Sequence, residues 1–411
     1  MLSVRAALET VLSHVRPLGF EQVALTEAAG RILATPVVAT RTVPPFDNCA
    51  MDGFAVRSCD VEGASPQSPV VLRLLETVAA GDLPRQVLAA GTAVQVMTGS
   101  PVPPGADAVV RVEDTAVTGD RVSIYRAARP GDHIRRAGED IRQGEEVLAA
   151  GRLLRPADIG VLASLGLSTV LVARRARVGI LATGNELVDL GQPLEPGKIA
   201  NSNAYALAAA VREAGAEPLI HGIVPDHVAR ATEVFRMALD CSDVLLSTGG
   251  VSMGSFDLVR EILAGLGVRE HFWKVRQKPG KPLSFGTQEH KLVFGLPGNP
   301  VSALVCFYLY VRPALLGSSG ARAVYPPVVR ARAECEFPAS EGLTDFVRCT
   351  LREQNGELWA MPTGSQSSGV LRSLVLGDGL AVVPEAQAEV RAGDALRVIE
   401  LAPRASTAMP V

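Results

Sequence analysis

Between residues 176 and 316, short apolar runs alternate with segments of helical length. The segments are ARVGILATGNE (176–186), NSNAYALAAAVREAG (201–215), AEPLIHGIVPD (216–226), HVARATEVFRMAL (227–239), DVLLSTGGVS (243–252) and KLVFGLPGNPVSAL (291–304). Asn201 and Ser202 offer caps for the first helical segment, and Gly215 follows its end. Strands that alternate with helices in this way predict a parallel sheet between two layers of helices, a three-layer α/β domain.

The chain before this region has a different texture. Its first residues, MLSVRAALETVLSHV, have the apolar spacing of an amphipathic helix rather than the pattern of a signal peptide. From residue 43 to about 132, short β-like runs alternate with Gly and Pro turns, which predicts a small, mostly β unit. Residues 139–172 are mixed, and Pro156 favours a helix at Pro156–Leu165.

The chain after the α/β region changes again. From about Tyr325 it has short strands, glycine turns and no long helix, which predicts a small β-barrel or sandwich. The most apolar run, Val301–Leu316, is interrupted by Arg312 and Pro313. This run is too short to span a bilayer, so we expect a buried helix.

Composition narrows the function classes. The formal net charge is −3 and aromatic residues make up 4%, so neither a broad basic surface nor many stacking platforms for nucleic acid are present. Six cysteines occur without a CxxC pair, which argues against a zinc pattern. A disulfide framework is not expected in a chain of this length, so we expect a cytoplasmic protein that binds neither nucleic acid nor membrane.

Polar and glycine residues collect where the predicted strands end. They are Thr183, Glu186, Asp226, Gly249, Gly250, Ser252, Pro297, Gly298 and Asn299. Ligands of open α/β sheets bind outside the carboxyl ends of the strands, and glycines there let backbone N–H groups approach an anion. The alternative is that each is simply a tight turn.

Cations are concentrated in KVRQKPGKP (274–282). In an extended conformation Lys274, Arg276 and Lys278 would share one face, and the Pro-Gly turn would bring Lys281 towards them. Like charges this close repel by several kcal/mol at an effective dielectric of about 20, so they need either full solvation or an anion. Gly280 between two prolines makes a stiff, shaped loop, which favours the anion over a solvated face.

Carboxylates complete the expected pocket. Glu186, Asp226 and Asp257 together with the lysines suit a phosphate ligand that is bridged by a divalent metal ion. Neither GxxxxGK[ST] nor a well-placed GxGxxG occurs, so a P-loop enzyme and a dinucleotide-binding enzyme are not expected.

These segments resemble one known family along nearly the whole chain. The chain is similar to the molybdopterin molybdenumtransferases, the MoeA proteins and the E domain of gephyrin. The matching segments are PPFDNCAMDGFAVR (44–57), VMTGSPVPPGADAVV (96–110), IRRAGED (134–140), LATGNEL (181–187), NSNAYAL (201–207), STGGVSMGSFD (247–257), FWKVRQKPGKPLSFG (272–286), GLPGNPVSAL (295–304), TDFVRC (344–349) and SQSSGVLRSL (365–374). Their number and order make the resemblance specific.

The resemblance implies a multidomain architecture and an assembly. The domains would be a discontinuous N-terminal domain (1–44 and 139–175), an inserted mostly-β domain (45–138), an α/β molybdopterin-binding domain (176–318) and a C-terminal β-barrel (325–405). Family members are elongated homodimers, and the active site lies where the α/β domain of one subunit meets the inserted domain of the other. A molybdopterin adenylyltransferase is left open as a further partner.

The resemblance also implies a reaction. The substrates would be molybdate and adenylylated molybdopterin; the phosphoanhydride is cleaved, AMP is released and molybdenum stays on the dithiolene sulfurs. Lys274 and Lys278 match residues that hold these anions, and Arg276 and Lys281 are weaker assignments. The metal would be Mg²⁺, with Zn²⁺ as the alternative, held by Glu186, Asp226 and Asp257.

Further residues carry over by position. Asp52 and Asp140 match carboxylates at the subunit interface, and Thr98 matches a polar position of the inserted domain. Arg348 and Ser368 match positions near the site in the last domain. Each has a structural alternative: a turn for Asp52, a cap or turn for Asp140, a helix cap for Asp226, an ion pair with Asp345 for Arg348 and an ordinary loop role for Ser368.

Three positions depart from the family pattern. Cys49 replaces a serine or other small residue and is expected to be a buried small hydrophobe. Asn185 replaces a frequent aspartate, which could change metal affinity. Ser367 replaces a glycine and would be strained if that position needs a positive φ. The rival functions are the adenylyltransferase, which would consume ATP, and a binding or scaffold protein, which would release no AMP.

Overall fold

The structure is a computed structural model, which describes residues 1–225, 227–249 and 255–401 and omits the side chains of 255–257. The chain begins with the predicted amphipathic helix. Its first elements are α1 (Val4–Ser13), β1 (Phe20–Ala24), a 3₁₀ turn (Leu25–Glu27) and β2 (Val37–Val38). Ser3 caps α1 by accepting a hydrogen bond from the Ala6 N–H at 3.2 Å, and the apolar face of the helix buries Ala7 and Val11.

A mostly β unit follows, as predicted. Its elements are β3 (Asn48–Cys49), β4 (Gly53–Val56), a 3₁₀ turn (Ser58–Val61), β5 (Val70–Val78), β6 (Thr92–Val96), β7 (Ala108–Arg111), a 3₁₀ turn (Val112–Asp114), β8 (Thr115–Thr118), β9 (Arg121–Ile124) and β10 (Ile134–Arg135). A 6-stranded sheet has the order β7-β4-β6-β5-β9-β8, and β3 pairs with β10. Phe54, Leu72 and Ile124 form part of its own core. Cys49 is fully buried, as expected for a small hydrophobe.

The chain then returns to its first segment through β11 (Glu146–Leu148), α2 (Pro156–Ser164) and β12 (Thr169–Ala173). Strand β1 pairs antiparallel with β12, and β2 pairs with β11. Leu33, from the first segment, therefore shares one core with Leu154 and Val172 from the second. Pro156 stands in the first turn of α2, as predicted.

The α/β unit comes next and positions the site. Its elements are β13 (Arg177–Thr183), β14 (Leu187–Val188), β15 (Ile199–Ala200), α3 (Ser202–Glu213), β16 (Glu217–Val224), α4 (Val228–Cys241), β17 (Val244–Thr248), α5 (Ser255–Gly265), β18 (Arg269–Trp273), β19 (Gln277–Lys278), β20 (Ser284–Gln288), β21 (Lys291–Leu296), α6 (Pro300–Cys306), a π-helical turn (Phe307–Val311) and α7 (Arg312–Ser318). The main sheet has the order β16-β13-β17-β21-β20-β18. Neighbouring residues of β13 serve opposite cores: Ile180 packs with α3 residues such as Leu207, and Leu181 packs with Phe235 of α4.

The four strands that the sequence predicts form the parallel part of the sheet, and the structure adds two strands that pair antiparallel. Strands β16, β13, β17 and β21 are parallel, whereas β20 is antiparallel to both β21 and β18. Strands β20 and β21 are joined by the two residues Glu289 and His290, and Glu289 has a φ of 53°. So short a connection makes a hairpin, because parallel neighbours need a crossover of about a dozen residues or more.

The helical segment Pro300–Ser318 is the buried apolar helix that the sequence predicts. By length and composition it could cross a membrane, but 72% of its apolar window is buried inside the protein. Phe307, Tyr310 and Val311 are fully buried against the sheet and α3. The segment therefore belongs to the core of the α/β unit.

The last unit is a closed barrel. Its elements are β22 (Val328–Ala333), β23 (Thr344–Gln354), β24 (Glu357–Pro362), α8 (Arg372–Val375), β25 (Gly379–Val383) and β26 (Ala395–Glu400). The strands run in the order β23-β24-β22-β26-β25, and β25 pairs back with β23. This closure decides between the barrel and the sandwich. Strand β19 of the α/β unit pairs in parallel with β23, so it joins the barrel to the site.

Candidate active site

A large cavity opens at the carboxyl ends of the parallel strands. Its volume is about 1030 Å³. Its walls are the ends of β13, β17 and β21, the starts of α3 and α6, the loop 277–282 and the barrel loop 366–369. The sequence-predicted residues Thr183, Glu186, Gly249, Lys278, Lys281, Pro297, Gly298, Asn299 and Ser368 all line it. The structure thus brings together the strand ends, the basic segment and the last domain.

Glycine is required at the centre of this wall. Gly249 has a φ of +84°, and a Cβ atom added there would lie 2.1 Å from the Thr183 carbonyl oxygen. A Cβ atom on Gly298 would lie 3.3 Å from the Gly249 Cα atom. The backbones of three strand ends therefore touch here, which leaves their peptide groups close to any ligand.

Two helices begin at the cavity. Asn201 caps α3 by accepting from the Ala204 N–H at 3.3 Å, and Asn203 donates to the Gly298 carbonyl oxygen at 2.7 Å. Helix α6 begins after Asn299, whose amide donates to the Ser368 hydroxyl at 2.7 Å. Each helix N-terminus carries a partial positive charge of about half an elementary charge, which favours an anion in the cavity. At the start of α6, Pro300 has no N–H and the Val301 N–H donates to the Ser368 carbonyl oxygen at 3.2 Å, so α6 acts there through its dipole.

The loop that bears Lys278 and Lys281 forms the opposite wall. Both side chains are exposed, whereas Gln277, Pro279 and Gly280 are buried. Lys278 donates to the Ser340 hydroxyl at 3.0 Å, and Ser340 is in turn held by Asp345 through its N–H (2.6 Å) and its hydroxyl (3.2 Å). The barrel therefore helps to place a cation of the α/β unit.

The expectation that Lys274, Arg276 and Lys278 share one face is wrong. Lys274 has a φ of 69°, which breaks the extended alternation, and its Nζ atom lies 3.7 Å from the centroid of the Trp273 ring. Arg276 forms a salt bridge with Glu385 at 2.9 Å. Neither side chain lines the cavity. In this conformation, Lys278 and Lys281 are the cations of this segment that the cavity wall includes.

Arg348 lies behind the cavity rather than on its wall. It is 1% exposed and donates to the Ser373 hydroxyl (3.1 Å) and the Ser367 carbonyl oxygen (3.2 Å). Among the residues that the structure describes, no carboxylate pairs with it, and Asp345 binds Ser340 instead. Burial lowers the pKa of Arg348, because the charged guanidinium is removed from water. Beside the loop 365–369, therefore, no described carboxylate balances its charge.

The departure at Ser367 causes no strain of the expected kind. Non-glycine residues with a positive φ in the described ranges are His133, Lys274, Glu289 and Asn355, so Ser367 is not among them. Its carbonyl oxygen accepts from Arg348, and its neighbour Ser368 accepts from Asn299. Ser368 thus connects the barrel loop to the start of α6.

Part of the predicted metal and substrate site lies outside the described residues. Asp226, Gly250 and Ser252 are not described, nor is the side chain of Asp257. Glu186 is exposed and is the one carboxylate among the described residues of the cavity wall. In the described ranges, no group of three His, Cys, Asp or Glu side chains could hold a metal ion. The described residues alone therefore supply one metal ligand of the predicted three.

The predicted residues Asp52, Thr98 and Asp140, which precede the α/β unit, do not line this cavity. Asp52 is exposed and accepts from the N–H and the hydroxyl of Thr98, both at 2.7 Å. The N–H bond and then the hydroxyl bond lower the pKa of Asp52, because both stabilise the carboxylate. Asp140 is also exposed, and its own N–H donates to the Val43 carbonyl oxygen at 3.2 Å. These residues stay candidates for a site that a second copy would complete.

Two contributors to the site are missing from the sequence prediction. Asn203 and Gln366 both line the cavity and use their amides to hold its walls. Gln366 accepts from the Arg348 N–H at 3.0 Å and donates to its carbonyl oxygen at 3.1 Å. Both lie within segments that resemble the family, so the sequence could have indicated them as site residues. Their hydrogen bonds could not be predicted from it.

Three family models match successive parts of this chain. Residues 2–166 match the MoeA N-terminal region (domain I and II), residues 179–317 match a probable molybdopterin binding domain, and residues 330–401 match the MoeA C-terminal region (domain IV). A Mycobacterium tuberculosis protein named molybdopterin molybdenumtransferase 2 is 40% identical, with 98% of this chain and 100% of that protein covered.

Another relative and a solved structure extend the match. A Nostoc protein named molybdopterin molybdenumtransferase is 38% identical over 98% of this chain and 94% of its own length. The crystal structure of a molybdopterin biosynthesis moeA protein from Pyrococcus horikoshii superposes with a TM-score of 0.84 at 32% identity, with 97% of this chain and 100% of that chain covered. From its fold, its site and these matches, we conclude that the chain belongs to the MoeA family of molybdopterin molybdenumtransferases, enzymes of molybdenum cofactor biosynthesis.

Proposed function

We propose that this enzyme inserts molybdate into adenylylated molybdopterin, with cleavage of the phosphoanhydride and release of AMP. The observation that carries the proposal is the cavity at the strand ends, where two helix N-termini face Lys278 and Lys281. Its volume of about 1030 Å³ suits a large ligand with several anionic groups. Both substrates are anions, so one positively polarised cavity serves both.

The residues of the cavity have distinct roles in this proposal. Lys278 and Lys281 bind phosphate oxygens, and the start of α6 with Asn299 receives the same group from the other side. Each charge-assisted hydrogen bond contributes about 1.5–3 kcal/mol, and each helix N-terminus adds about 0.3–1 kcal/mol. These contributions hold the phosphoanhydride and stabilise the negative charge that grows on AMP as it leaves.

Arg348 would serve the molybdate. Its buried charge lacks a carboxylate among the described residues, so it raises the electrostatic potential of the loop 365–369. Ser368 sits at the cavity end of this loop and already bonds to Asn299. An oxyanion held at Ser368 would compensate the buried guanidinium. Lys274 would contact an anion only after leaving Trp273.

The proposed metal ion is Mg²⁺, with Zn²⁺ as the alternative. Glu186 would be one ligand, and Asp226 and Asp257, outside the described residues or side chains, would be the others. A divalent ion bound there would supply Lewis-acid polarisation of phosphate oxygens. Carboxylate oxygens are the donors that Mg²⁺ prefers, so the chemistry of this ligand set favours Mg²⁺.

A second copy of the chain would complete the site. We propose a cytoplasmic homodimer in which Asp52, Thr98 and Asp140 of one subunit face the cavity of the other. Asp52 and Thr98 already form one polar unit, which would present a fixed carboxylate to the partner's substrate. A molybdopterin adenylyltransferase is a candidate partner that would deliver the substrate. Neither nucleic acid nor membrane is a proposed partner.

The test is AMP release from adenylylated molybdopterin, measured with and without molybdate and Mg²⁺. We expect molybdate-stimulated release that Glu186→Ala abolishes. Glu217→Ala is the matched control, because Glu217 is an exposed glutamate at the opposite end of the sheet. Tight substrate binding without AMP release under any metal would refute the transferase function and leave a scaffold, and consumption of ATP would indicate the adenylyltransferase.

A further inference from the structure

The loop 277–282 begins with a buried polar side chain, that of Gln277. Gln277 is fully buried, although it immediately precedes the exposed Lys278. We propose that Gln277 and Tyr310 are positioning residues that fix Lys278 and Lys281 for anion binding. This inference rests on the proposed function of the two lysines, and it adds two fully buried residues that act through them.

Gln277 uses both ends of its amide. Its Nε2 atom lies within hydrogen-bonding distance of the Pro279 carbonyl oxygen (3.1 Å), the Gly280 carbonyl oxygen (3.4 Å) and the Cys306 sulfur (3.5 Å). Its Oε1 atom accepts a hydrogen bond from the Tyr310 hydroxyl. The amide therefore ties the two residues that separate Lys278 from Lys281 to the long buried helical segment.

The loop packs tightly against this helical segment at Gly280. A Cβ atom on Gly280 would lie 2.6 Å from the Cys306 sulfur and 2.7 Å from the Gln277 Nε2 atom. Gly280 also has a φ of +93°, which an L side chain rarely adopts. The loop is therefore held in one position, in which Gly280 packs against Gln277 and Cys306.

Tyr310 contacts Gln277 from the π-helical turn Phe307–Val311. Cys306 and Tyr310 are four residues apart and both face the loop. Pro313, which has no N–H to donate, follows directly in α7. Turns of this kind are often found at functional sites, and here one places a hydroxyl under the cationic loop.

A purely structural role for the Tyr310 hydroxyl is the competing explanation. Loss of the hydroxyl leaves the buried Gln277 oxygen without a partner, which lowers stability in either case. The two roles differ in what happens to the lysines. If the amide sets the loop, its misplacement weakens anion binding beyond any loss of stability.

The experiment compares Tyr310→Phe with Tyr308→Phe in the full-length protein. Tyr308 lies in the same turn, is partly buried, and has no hydrogen bond to the described residues. AMP serves as the probe, and its dissociation constant and the melting temperature are measured together. We expect Tyr310→Phe to weaken AMP binding about 10-fold and Tyr308→Phe to leave it unchanged.

A double variant separates positioning from stability. Gln277→Met with Tyr310→Phe replaces both polar partners by apolar groups, which restores much of the stability but not the bonds to Pro279 and Gly280. Recovered stability with AMP binding still weak supports positioning. Recovery of both, or unchanged AMP binding in Tyr310→Phe, overturns it.

A mutant cycle with the double variant Lys278→Met, Lys281→Met completes the test. We expect Tyr310→Phe to cost little AMP affinity once both lysines are absent, whereas additive effects would contradict the inference. These readouts use AMP binding alone, so they stand even if the wild type releases no AMP. Failure of the proposed transferase reaction and failure of the positioning role are thereby distinguishable.

Discussion

Gly249→Ala is the substitution whose cost the structure defines best. The new Cβ atom would lie 2.1 Å from the Thr183 carbonyl oxygen and 3.1 Å from the Thr183 hydroxyl oxygen. The first neighbour is backbone, so no side-chain rotation relieves the contact. Distances under 3.0 Å are essentially never seen for real Cβ atoms. The strand end must therefore move by about 1 Å, so the substitution overpacks this site.

The expected magnitude has two parts. An alanine in the left-handed region costs about 1–2 kcal/mol, and overpacking adds about 1–3 kcal/mol. Gly215→Ala isolates the first part, because Gly215 has a φ of +79° and nothing lies within 4 Å of its added Cβ atom. The difference between the two variants, about 1–3 kcal/mol, is therefore the cost of the contact itself.

The assay is native-state hydrogen exchange of the amides in β13 and β17, because a multidomain chain has no single free energy of unfolding. We expect Gly249→Ala to lower the opening free energy of these amides by more than Gly215→Ala does, and to weaken AMP binding as well. Equal effects of the two substitutions, within about 0.5 kcal/mol, would refute the claim that these strand ends touch.

Three further predictions concern charge, pH and capping. Lys278→Met should lower kcat/KM for AMP release by about 10-fold or more, because a charge-assisted hydrogen bond from an exposed residue contributes at least about 1.5 kcal/mol. Lys291→Met, at the far end of β21, should leave kcat/KM unchanged. Asp243 forms a fork with Arg174 at 2.8 and 3.1 Å. Burial opposes the change, but the bonds from Arg174 and the Arg177 N–H leave the pKa of Asp243 lowered. The fork therefore stabilises the fold above the unfolded pKa of about 3.9, and this contribution is lost as the pH falls through the folded pKa. Hydrogen exchange of the β13 and β17 amides in Asp243→Asn should show opening free energies about 1–3 kcal/mol lower at pH 7 and a flatter pH dependence below pH 4; an unchanged profile would contradict this. Asn201→Ala should lower the opening free energy of the α3 amides by about 0.5–2 kcal/mol in hydrogen exchange, while Asn201→Asp keeps the capping oxygen and should cost little.

Much of the site was predictable because its signals are local. Thr183, Gly249 and Gly298 follow apolar runs, and parallel strands bring such ends together whatever the rest of the chain does. The cap at Asn201 and the proline at the start of α2 are equally local. Periodicity and turn chemistry over a few residues were sufficient for these features.

The side-chain directions in the basic segment were not predictable in this way. The strand Gln277–Lys278 exists because it pairs with Thr344–Asp345, far along the chain. Lys274 leaves the shared face because its φ is 69°, which nothing in its neighbours announces. Burial of Arg348 and closure of the barrel by β25 against β23 are likewise products of distant pairing.

The pairing of β19 with β23 has a thermodynamic consequence. One short strand belongs to two folding units, so the barrel cannot shift on the α/β unit without moving Lys278 and its partner Ser340. Anion affinity and barrel docking are then linked functions, and by reciprocity each must strengthen the other by the same factor. A ligand in the cavity would stabilise the β19–β23 pairing between the two units, and a substitution that weakens this pairing would also weaken ligand binding.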